Sequence, residues 1–506
     1  MASPVGFPHG VDRIKHIETH ISHLLLVGDF AYKIKKPIDL GFLDFSSLEK
    51  RRICCEEELR LNSRLAPDLY LAVIAIHGTP EEPTLKQEGK VLEYAVKMRR
   101  FRQQDLLNVN LPVRDEILSL AKQIATFHLE ALPAPKGSDF GTPESVLLPM
   151  EENFQLIRSQ RHPLLEIERL DALQVWTEEF VAVSTDQLWE RRDGGNIREC
   201  HGDLHLGNIT RFENRLTPFD GIEFNPGLRW IDTLSDLAFL LMDLQHQGMS
   251  DLSDLLLNTY LELTGDYPAL PLLRFYLLYR AMVRAKVCAI RFRQPDLNRE
   301  EAAEVLETYR RYLTLAESVI RHPSAVLLIT HGVSGSGKSH ISGWFAEQLM
   351  AIRIRSDVER KRLFPEDMLM QGHGNSQRYS EKATEITYVH LEGMARSMLQ
   401  ANFSVIVDAT FLKQQQRQAF FDLAAELQTP FLILDCQASE SVLQSRVNQR
   451  AESGSDASEA DIEILVQQQR QQETLSERER QQRLCIDSED FPHPGLIATA
   501  LQRLLR

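Results

Sequence analysis

The chain has 506 residues, more than one hydrophobic core normally organises, so two or three domains are expected. Its 43% hydrophobic and 25% charged residues are typical of globular proteins and exclude a disordered, collagenous or fibrous chain. The formal net charge of −15 argues against a global electrostatic interaction with nucleic acid or an anionic membrane.

Cysteine content and hydropathy indicate the cellular environment. Six cysteines without C-x-x-C spacing predict reduced thiols and argue against a disulfide framework or a zinc site. No apolar stretch approaches the roughly 18 residues of a spanning helix. The first twelve residues lack the basic-then-apolar order of a signal peptide. We therefore expect a cytoplasmic protein without a membrane-spanning segment.

The first hundred residues predict a small sheet with one helix. Residues 24–27 and 30–35 form a predicted hairpin around Gly28-Asp29. Residues 48–65 have a helical pattern, and residues 91–98 are predicted to form a further strand.

Residues 201–208 read H-G-D-L-H-L-G-N, and Asp220 follows across a predicted hairpin of residues 209–212 and 216–219. In kinase-like phosphoryl transfer a loop Asp accepts the proton of the acceptor hydroxyl, and an Asn five residues later binds the metal. Asp203 and Asn208 have this spacing, and Asp220, which precedes a glycine, suits the second metal ligand. A simple metal pair of His201 and His205 is the alternative, and it explains fewer of these residues.

The H-G-D-x-H-x-x-N segment resembles that of aminoglycoside and choline phosphotransferases, and the resemblance covers roughly residues 15–320. It implies a two-lobed protein-kinase-like domain, with an N-terminal lobe to about residue 98 and a C-terminal lobe from about 99 to 322. It also implies ATP and Mg²⁺ as cofactors, with Asp203 as the proton acceptor and Asn208 and Asp220 as metal ligands. Asp236 matches the Asp that braces the loop in this family.

The same resemblance implies a strand lysine, a helix glutamate and a hinge that binds adenine. Lys33, in an Ala-x-Lys order, is our choice for the lysine, with Lys35 on the same face as an open alternative. Among Glu56, Glu57 and Glu58 we choose Glu58, which lies beside the apolar stripe, and adenine would bind near Met98. The sequence departs from the family in lacking a G-x-G-x-x-G loop above the nucleotide.

A domain boundary is predicted near residues 321–324. A helical pattern over residues 298–320 is broken at Pro323, and residues 325–330 then read as a buried strand. The predicted domains are residues 1–322 and 323–506.

Residues 332–339, G-V-S-G-S-G-K-S, match the phosphate-binding G-x-x-x-x-G-K-[ST] pattern after this strand. Glycines allow backbone N–H groups to surround phosphate oxygens, and the following helix N-terminus adds partial positive charge. Lys338 would reach the β- and γ-phosphates and the Ser339 hydroxyl would bind Mg²⁺. The predicted nucleotide-binding residues are Gly332, Ser334, Gly335, Ser336, Gly337, Lys338 and Ser339.

Strand-like runs at residues 352–354, 404–407, 431–434 and 484–486 alternate with helical patterns, which predicts a parallel sheet covered by helices. Asp408 directly follows one run, as a metal-holding Asp does; a turn-capping role is the alternative. Asp357 and Arg360 follow another run and suit a proton acceptor and a phosphate-binding cation. Arg446 and Arg450 suggest a lid that carries arginines onto the transferring phosphoryl group, with a solvated basic face as the alternative.

Residues 325 to about 486 resemble small P-loop kinases, including predicted AAA-type kinases and the kinase domain of phage polynucleotide kinase. The resemblance implies Asp357 as the base, with Lys338 and the lid arginines as charge stabilisers. The predicted chain is thus a multidomain α/β and α+β protein, a two-lobed kinase-like fold followed by a parallel-sheet P-loop NTPase fold.

The leading hypothesis is a bifunctional phosphotransferase with two ATP sites that act on small-molecule hydroxyl acceptors. The alternatives are a nucleotide-dependent sensor or scaffold with one non-catalytic module, and a nucleic-acid end kinase in the second domain. The basic cluster of Arg353, Arg355, Arg360, Lys361 and Arg362 favours the end kinase, whereas the net charge weighs against a nucleic-acid partner. The acceptors and the oligomeric state are not specified by any motif.

Overall fold

The structure is a computed structural model. It describes residues 14–39, 41, 43–160, 162, 165–294, 297–321, 324–365, 380–453, 461–492 and 495–504, without the side chains of 450–453. The chain divides into two compact units, Met1–Ser253 with Leu273–Ile320, and Asp254–Leu272 with Arg321–Arg506. The units thus change after Ile320, and unit 2 also takes a segment that the sequence places in the first domain. Residues 322 and 323 of the predicted boundary lie outside the described residues, and the domain limits stay a prediction.

Unit 1 begins with an antiparallel sheet in the strand order β1-β2-β3-β6-β4-β5. Its strands are β1 (Ile14–Glu18), β2 (Ser22–Val27), β3 (Phe30–Lys35), β4 (Tyr70–Gly78), β5 (Pro83–Thr84) and β6 (Val91–Arg99). Helix α1 (Leu48–Asn62) packs on β6 and β4, so one face of the sheet is covered. The predicted hairpin, helix and strand are confirmed. The helix ends three residues before the predicted Leu65, because Ser63 caps it and Pro67 disfavours helical geometry at Ala66.

The remainder of unit 1 is mainly helical and carries the loop 201–208 between two short sheets. The short strands are β7 (Ile197–Glu199), β8 (Ile209–Phe212), β9 (Arg215–Pro218) and β10 (Trp230–Asp232). The helices are α2 (Arg114–Glu130), α3 (Pro143–Ser159), α4 (Ile167–Asp193), α5 (Thr233–His246), α6 (Ser250–Thr264), α7 (Leu270–Phe292) and α8 (Arg299–Ile320). By the unit limits, α6 falls mostly in unit 2 and α7 mostly in unit 1. A strand-rich lobe followed by a helical lobe is the two-lobed protein-kinase-like fold that the sequence predicts.

Unit 2 contains a five-stranded parallel sheet in the order β12-β13-β11-β14-β15. Its strands are β11 (Leu327–His331), β12 (Ile352–Arg355), β13 (Val405–Asp408), β14 (Phe431–Gln437) and β15 (Arg483–Asp487). The helices between and after them are α9 (Lys338–Leu349), α10 (Ser356–Leu363), α11 (Glu381–Gln400), α12 (Gln414–Glu426), α13 (Glu440–Ser453), α14 (Ile462–Gln471), α15 (Glu477–Gln481) and α16 (Leu496–Leu504).

The core of this sheet forms because its three central strands, β13, β11 and β14, are apolar on both faces, as expected of a parallel sheet covered by helices. Leu328 and Ile406 pack with Ile341 and Phe345 of α9, and all four are fully buried. The predicted P-loop NTPase fold is confirmed, with strand ends shifted by one to three residues. Within the described part of the chain, no helix is both long and apolar enough to cross a membrane.

Candidate active sites

The predicted strand lysine and helix glutamate of unit 1 meet in a buried ion cluster. Lys33 Nζ lies 2.8 Å from Glu58 Oε1, and Lys35 Nζ lies 2.7 Å from Glu58 Oε2. Glu58 is fully buried, which by itself raises its pKa, but the two ammonium groups bring that pKa down to about 2. Period-two spacing places both lysines on one face of β3, and both form ion pairs with Glu58.

The two lysines reach different parts of the segment after β9. Lys33 Nζ lies 2.5 Å from Asp220 Oδ1, while the buried Lys35 pairs with Glu223. Burial raises the pKa of Glu223, which also faces the negative charge of Glu58. Asp220 has a φ of +63°, a conformation that is uncommon outside glycine and clusters at functional sites.

Asp220 is held in this conformation by contacts on both sides of it. Its backbone N–H donates to the Tyr70 hydroxyl at 3.1 Å, and the Gly221 N–H donates to Asn62 Oδ1 at 2.7 Å. Tyr70 and Asn62 belong to the N-terminal lobe, so that lobe fixes the position of the predicted metal-binding carboxylate.

The loop 201–208 brings the predicted proton acceptor and metal ligand together. Asn208 Nδ2 donates to Asp203 Oδ2 at 2.8 Å and to the Asp203 carbonyl at 3.0 Å. Burial by itself raises the pKa of Asp203, but His205, His201 and Arg284 hold it well below its usual value. Asp203 is thus a carboxylate at neutral pH, the form that accepts a proton.

The two histidines of the loop are used to hold its shape. His201 Nε2 donates to the Phe219 carbonyl at 2.9 Å, and burial lowers the pKa of His201, so it is neutral. His205 Nδ1 accepts the Gly207 N–H at 3.0 Å and its Nε2 lies 3.4 Å from Asp203 Oδ2. These contacts already engage the ring nitrogens of both histidines, which disfavours a metal site formed by His201 and His205 alone.

Two aspartates of α5 accept hydrogen bonds from the backbone of this loop. Asp236 accepts the backbone N–H groups of His201 at 3.0 Å and of Gly202 at 2.8 Å. Asp243, which the sequence reasoning missed, accepts the Leu206 N–H at 2.9 Å. Its position seven residues after Asp236 places it on the same helix face, and this spacing was the available signal.

Met98, the predicted adenine-hinge residue, lies inside the sheet. It is paired with Ala31 on one side and Tyr70 on the other, and its side chain is buried. The chain leaves the sheet only after Arg99. The backbone beyond the strand therefore begins at Arg100, two residues after Met98.

The P-loop of unit 2 has the geometry that its glycines predict. Gly335 and Gly337 have φ values of +83° and +84°, where a side chain is strained. A Cβ on Gly335 would lie 2.8 Å from the Leu443 carbonyl oxygen. Ser336 Oγ is buried without a hydrogen-bond partner among the described residues. The loop therefore has the backbone shape that suits a phosphate.

Polar groups of the predicted metal site lie at the start of α9. Ser342 Oγ donates to Asp408 Oδ2 at 3.0 Å, and Asp408 is buried at the end of β13. Ser339 is exposed one turn earlier on the same helix, and Lys338 Nζ donates to the Val333 carbonyl at 2.7 Å. Ser342 is a residue that the sequence reasoning missed, although its i+3 spacing from Ser339 places both on one face.

Most predicted residues of this site line one cavity of about 740 Å³. Arg360 is nearly buried and donates to Thr384 Oγ1 at 3.2 Å, while Asp357 is half-buried at the start of α10. Gly332 and Ser336 lie on a neighbouring cavity of about 620 Å³. The predicted residues around the larger cavity are Ser334, Gly335, Gly337, Lys338, Ser339, Asp357, Arg360, Asp408 and Arg446.

Arg446 lies on α13 and holds the P-loop directly. It donates to the Gly335 carbonyl at 3.2 Å and to Ser488 Oγ at 2.7 Å. The side chain of Arg450 lies outside the described residues. Gln468 of α14 also contacts the loop, because its Oε1 accepts the Ser334 N–H at 2.7 Å, a contact that the sequence did not reveal.

Comparison with known proteins identifies similar sequences and structures. A family model described as an AAA domain matches residues 327–475. Together the fold and the two sites define a two-domain kinase-like protein. Uncharacterized protein Rv2004c of Mycobacterium tuberculosis (strain ATCC 25618 / H37Rv) is 31% identical over 446 residues, 87% of each chain. Uncharacterized protein Mb2027c of Mycobacterium bovis matches to the same extent. The chain belongs to the family of these mycobacterial proteins.

Solved structures match each region separately. A choline kinase from Cryptosporidium parvum Iowa II matches 61% of this chain and 90% of its own, with 12% identity and a TM-score of 0.41. Plasmodium vivax ethanolamine kinase matches 61% and 82%, with 11% identity and a TM-score of 0.37. A gluconokinase from Sinorhizobium meliloti 1021 matches 37% and 94%, with 22% identity and a TM-score of 0.25.

Proposed function

We propose that the protein is a bifunctional ATP-dependent phosphotransferase, in which each unit transfers a γ-phosphoryl group to a hydroxyl of a small molecule. The observation that supports this proposal is that each unit brings together a different set of charged side chains whose chemistry suits phosphoryl transfer. The first combines Lys33 and Glu58 with Asp203, and the second surrounds the P-loop with Asp357 and Asp408.

In unit 1, Asp203 takes the proton of the acceptor hydroxyl. The hydroxyl oxygen bonds to the γ-phosphorus of ATP as the bond between that phosphorus and the bridging oxygen of the β-phosphate breaks. Lys33, oriented by Glu58, would contact the α- and β-phosphates. Asn208 and Asp220 offer the amide and carboxylate oxygens that Mg²⁺ prefers. Since Lys33 and Asp220 are paired in this structure, the lysine would exchange part of that contact for phosphate oxygens.

In unit 2, Lys338 and the N–H groups of the P-loop would hold the β- and γ-phosphates, and Asp357 would accept the acceptor proton. Arg360 would stabilise the transferring group from the same cavity. Ser339 and Asp408 would hold Mg²⁺ through hydroxyl and carboxylate oxygens, and the ion would neutralise phosphate charge. We propose ATP and Mg²⁺ as cofactors of both sites.

ATP turnover of single and double variants tests this proposal. Asp203→Asn should abolish one activity and Lys338→Ala the other, each variant keeping the acceptor-dependent turnover of the unaltered site. Acceptors are screened among amino alcohols for the first unit and sugars or sugar acids for the second. Turnover unaffected by both substitutions would refute the bifunctional assignment, and loss of one activity only would favour the sensor alternative.

The nucleic-acid end kinase is the weaker candidate. Its basic cluster is partly neutralised, since Arg353 and Arg355 pair with Glu262 and Arg362 pairs with Glu359. Salt-dependent binding of an oligonucleotide at low ionic strength would support it.

A further inference from the structure

Residues Asp254–Leu272 form part of unit 2, although they lie inside the sequence that resembles the first kinase. They cover the edge of the parallel sheet along β12, which is an end strand of this sheet among the described residues. Asn258 Oδ1 accepts the Arg353 N–H at 2.8 Å, and its Nδ2 donates to the Ala351 carbonyl at 3.1 Å. The Asn258 amide therefore forms two hydrogen bonds to backbone groups at this edge of the sheet.

One turn further along α6, Glu262 holds two arginines of β12. Its Oε1 lies 2.8 Å from Arg355 Nη1, and its Oε2 lies 3.1 Å from Arg353 Nη2. The Glu262 carbonyl also accepts a hydrogen bond from Arg362 at 2.9 Å. The three charged side chains are 15–24% exposed, so solvent screens them only in part.

Both arginines continue into the P-loop site. Arg353 Nη1 donates to the Ser339 carbonyl at 3.0 Å, and Arg355 lines the 740 Å³ cavity with its Nε 3.9 Å from Asp408 Oδ2. Ser339 and Asp408 are the residues that we propose as holding Mg²⁺. Glu262 is therefore one residue removed from each of them.

We propose that Glu262 is a positioning residue of the P-loop site, which keeps Arg355 from closing on Asp408. Among the described residues, the Arg355 guanidinium lies 2.8 Å from the carboxylate of Glu262 and 3.9 Å from that of Asp408, so its shorter contact is with Glu262. When Glu262 is lost, the guanidinium moves to Asp408 and competes there with the cation. The P-loop reaction thus depends on a helix encoded inside the first kinase-like segment. This inference rests on the proposed function of unit 2.

The test uses the full chain carrying Lys33→Ala and Asp203→Asn, so that activity reports on unit 2. ATP turnover is measured against Mg²⁺ concentration for Glu262→Gln, for Glu262→Asp and for the exposed control Glu304→Gln. We expect Glu262→Gln to raise the Mg²⁺ concentration for half-maximal turnover about five- to tenfold, with an intermediate value for Glu262→Asp. Glu304→Gln should not change it. Equal Mg²⁺ requirements for Glu262→Gln and Glu304→Gln would overturn the proposal.

A double-mutant cycle separates positioning from general loosening of the segment. In a background that also carries Arg355→Gln, Glu262→Gln should leave the Mg²⁺ requirement unchanged, because the competing guanidinium is gone. Asn258→Ala removes the hydrogen bonds from α6 to the backbone of Ala351 and Arg353 but leaves the guanidinium contacts of Glu262 in place. It should lower the melting temperature without changing the Mg²⁺ requirement. The proposal would be overturned if Glu262→Gln still raised the Mg²⁺ requirement in the Arg355→Gln background. It would also be overturned if Asn258→Ala raised that requirement to the same extent.

The same variants distinguish failure of this proposal from failure of the proposed function. If unit 2 shows no turnover with any acceptor, the proposed function fails. The Mg²⁺ dependence of binding of a fluorescent ATP analogue then replaces turnover as the readout. In that measurement, a five- to tenfold rise in the Mg²⁺ requirement of Glu262→Gln would support the positioning role, and an unchanged requirement would overturn it.

Discussion

The Lys35 ammonium lies 2.7 Å from Glu58 Oε2, while the other oxygen of the same carboxylate lies 2.8 Å from Lys33. The two lysines therefore share one glutamate but differ in what else they touch. Lys33 contacts Asp220, a predicted metal ligand, whereas Lys35 contacts Glu223, which no proposed step uses. This difference predicts different consequences for their replacement.

Lys33→Ala should lower ATP turnover by unit 1 by roughly 10²–10³, since it removes a cation that the phosphates need. Lys35→Met should instead lower the free energy of unfolding by about 3–5 kcal/mol, because it leaves two buried carboxylates without their shared cation. Turnover assays and urea denaturation measure the two effects. Lys36→Met, which removes the partner of the exposed Glu18, serves as the control and should lower the free energy of unfolding much less than Lys35→Met. The reverse pattern would assign the phosphate contact to Lys35.

The surroundings of Asp236 predict that its contribution to the stability of unit 1 is lost in acid. Burial by itself raises its pKa, but His128 and Arg280 bring that pKa down to about 2. A carboxyl with a folded-state pKa below its unfolded value stabilises the protein above about pH 4, and this contribution is lost as the pH falls toward 2. The difference in unfolding free energy between the wild type and Asp236→Asn should therefore shrink by about 2 kcal/mol between pH 5 and 2. Thermal denaturation across this range is the measurement, and a constant difference would contradict it.

Asp243→Ala should slow unit 1 about tenfold, because the Leu206 N–H loses its acceptor and the loop that carries Asp203 loosens. Asp243→Asn keeps an acceptor oxygen and should restore most of the rate. Steady-state kinetics should locate the effect in kcat, with little change in the KM for ATP. Asp251→Ala, at an exposed position on α6, provides the comparison. An equal loss in Asp243→Asn and Asp243→Ala would argue against this role for the hydrogen bond.

Two glycine substitutions test the P-loop geometry. Gly335→Ala places a Cβ 2.8 Å from the Leu443 carbonyl at a φ of +83°, so it should cost about 1–3 kcal/mol and abolish nucleotide binding by unit 2. Gly393→Ala lies in α11 with open space around the new Cβ, and it should stabilise that helix by about 0.5–1 kcal/mol. Isothermal titration with ATP and denaturation of both variants are the measurements. Nucleotide binding by Gly335→Ala at wild-type affinity would contradict the proposed site.

The sequence alone determined those features that rest on local pattern and short spacing. The P-loop follows a buried strand, the order of alternating strands and helices specifies a parallel sheet, and the H-G-D loop places Asp203 and Asn208 five residues apart. Each of these depends on backbone geometry within a few residues, so it can be read without knowing what packs nearby.

Tertiary structure decided which groups from distant parts of the chain meet. No spacing rule connects Lys35 with Glu223, Asp243 with Leu206, or Glu262 with Arg355, because these partners lie 188, 37 and 93 residues apart. The same holds for Met98, whose place within the sheet follows from pairing on both of its sides. A side chain's chemistry is fixed by its covalent structure, but its charge state and its partner are fixed by burial and by the neighbours that the fold supplies.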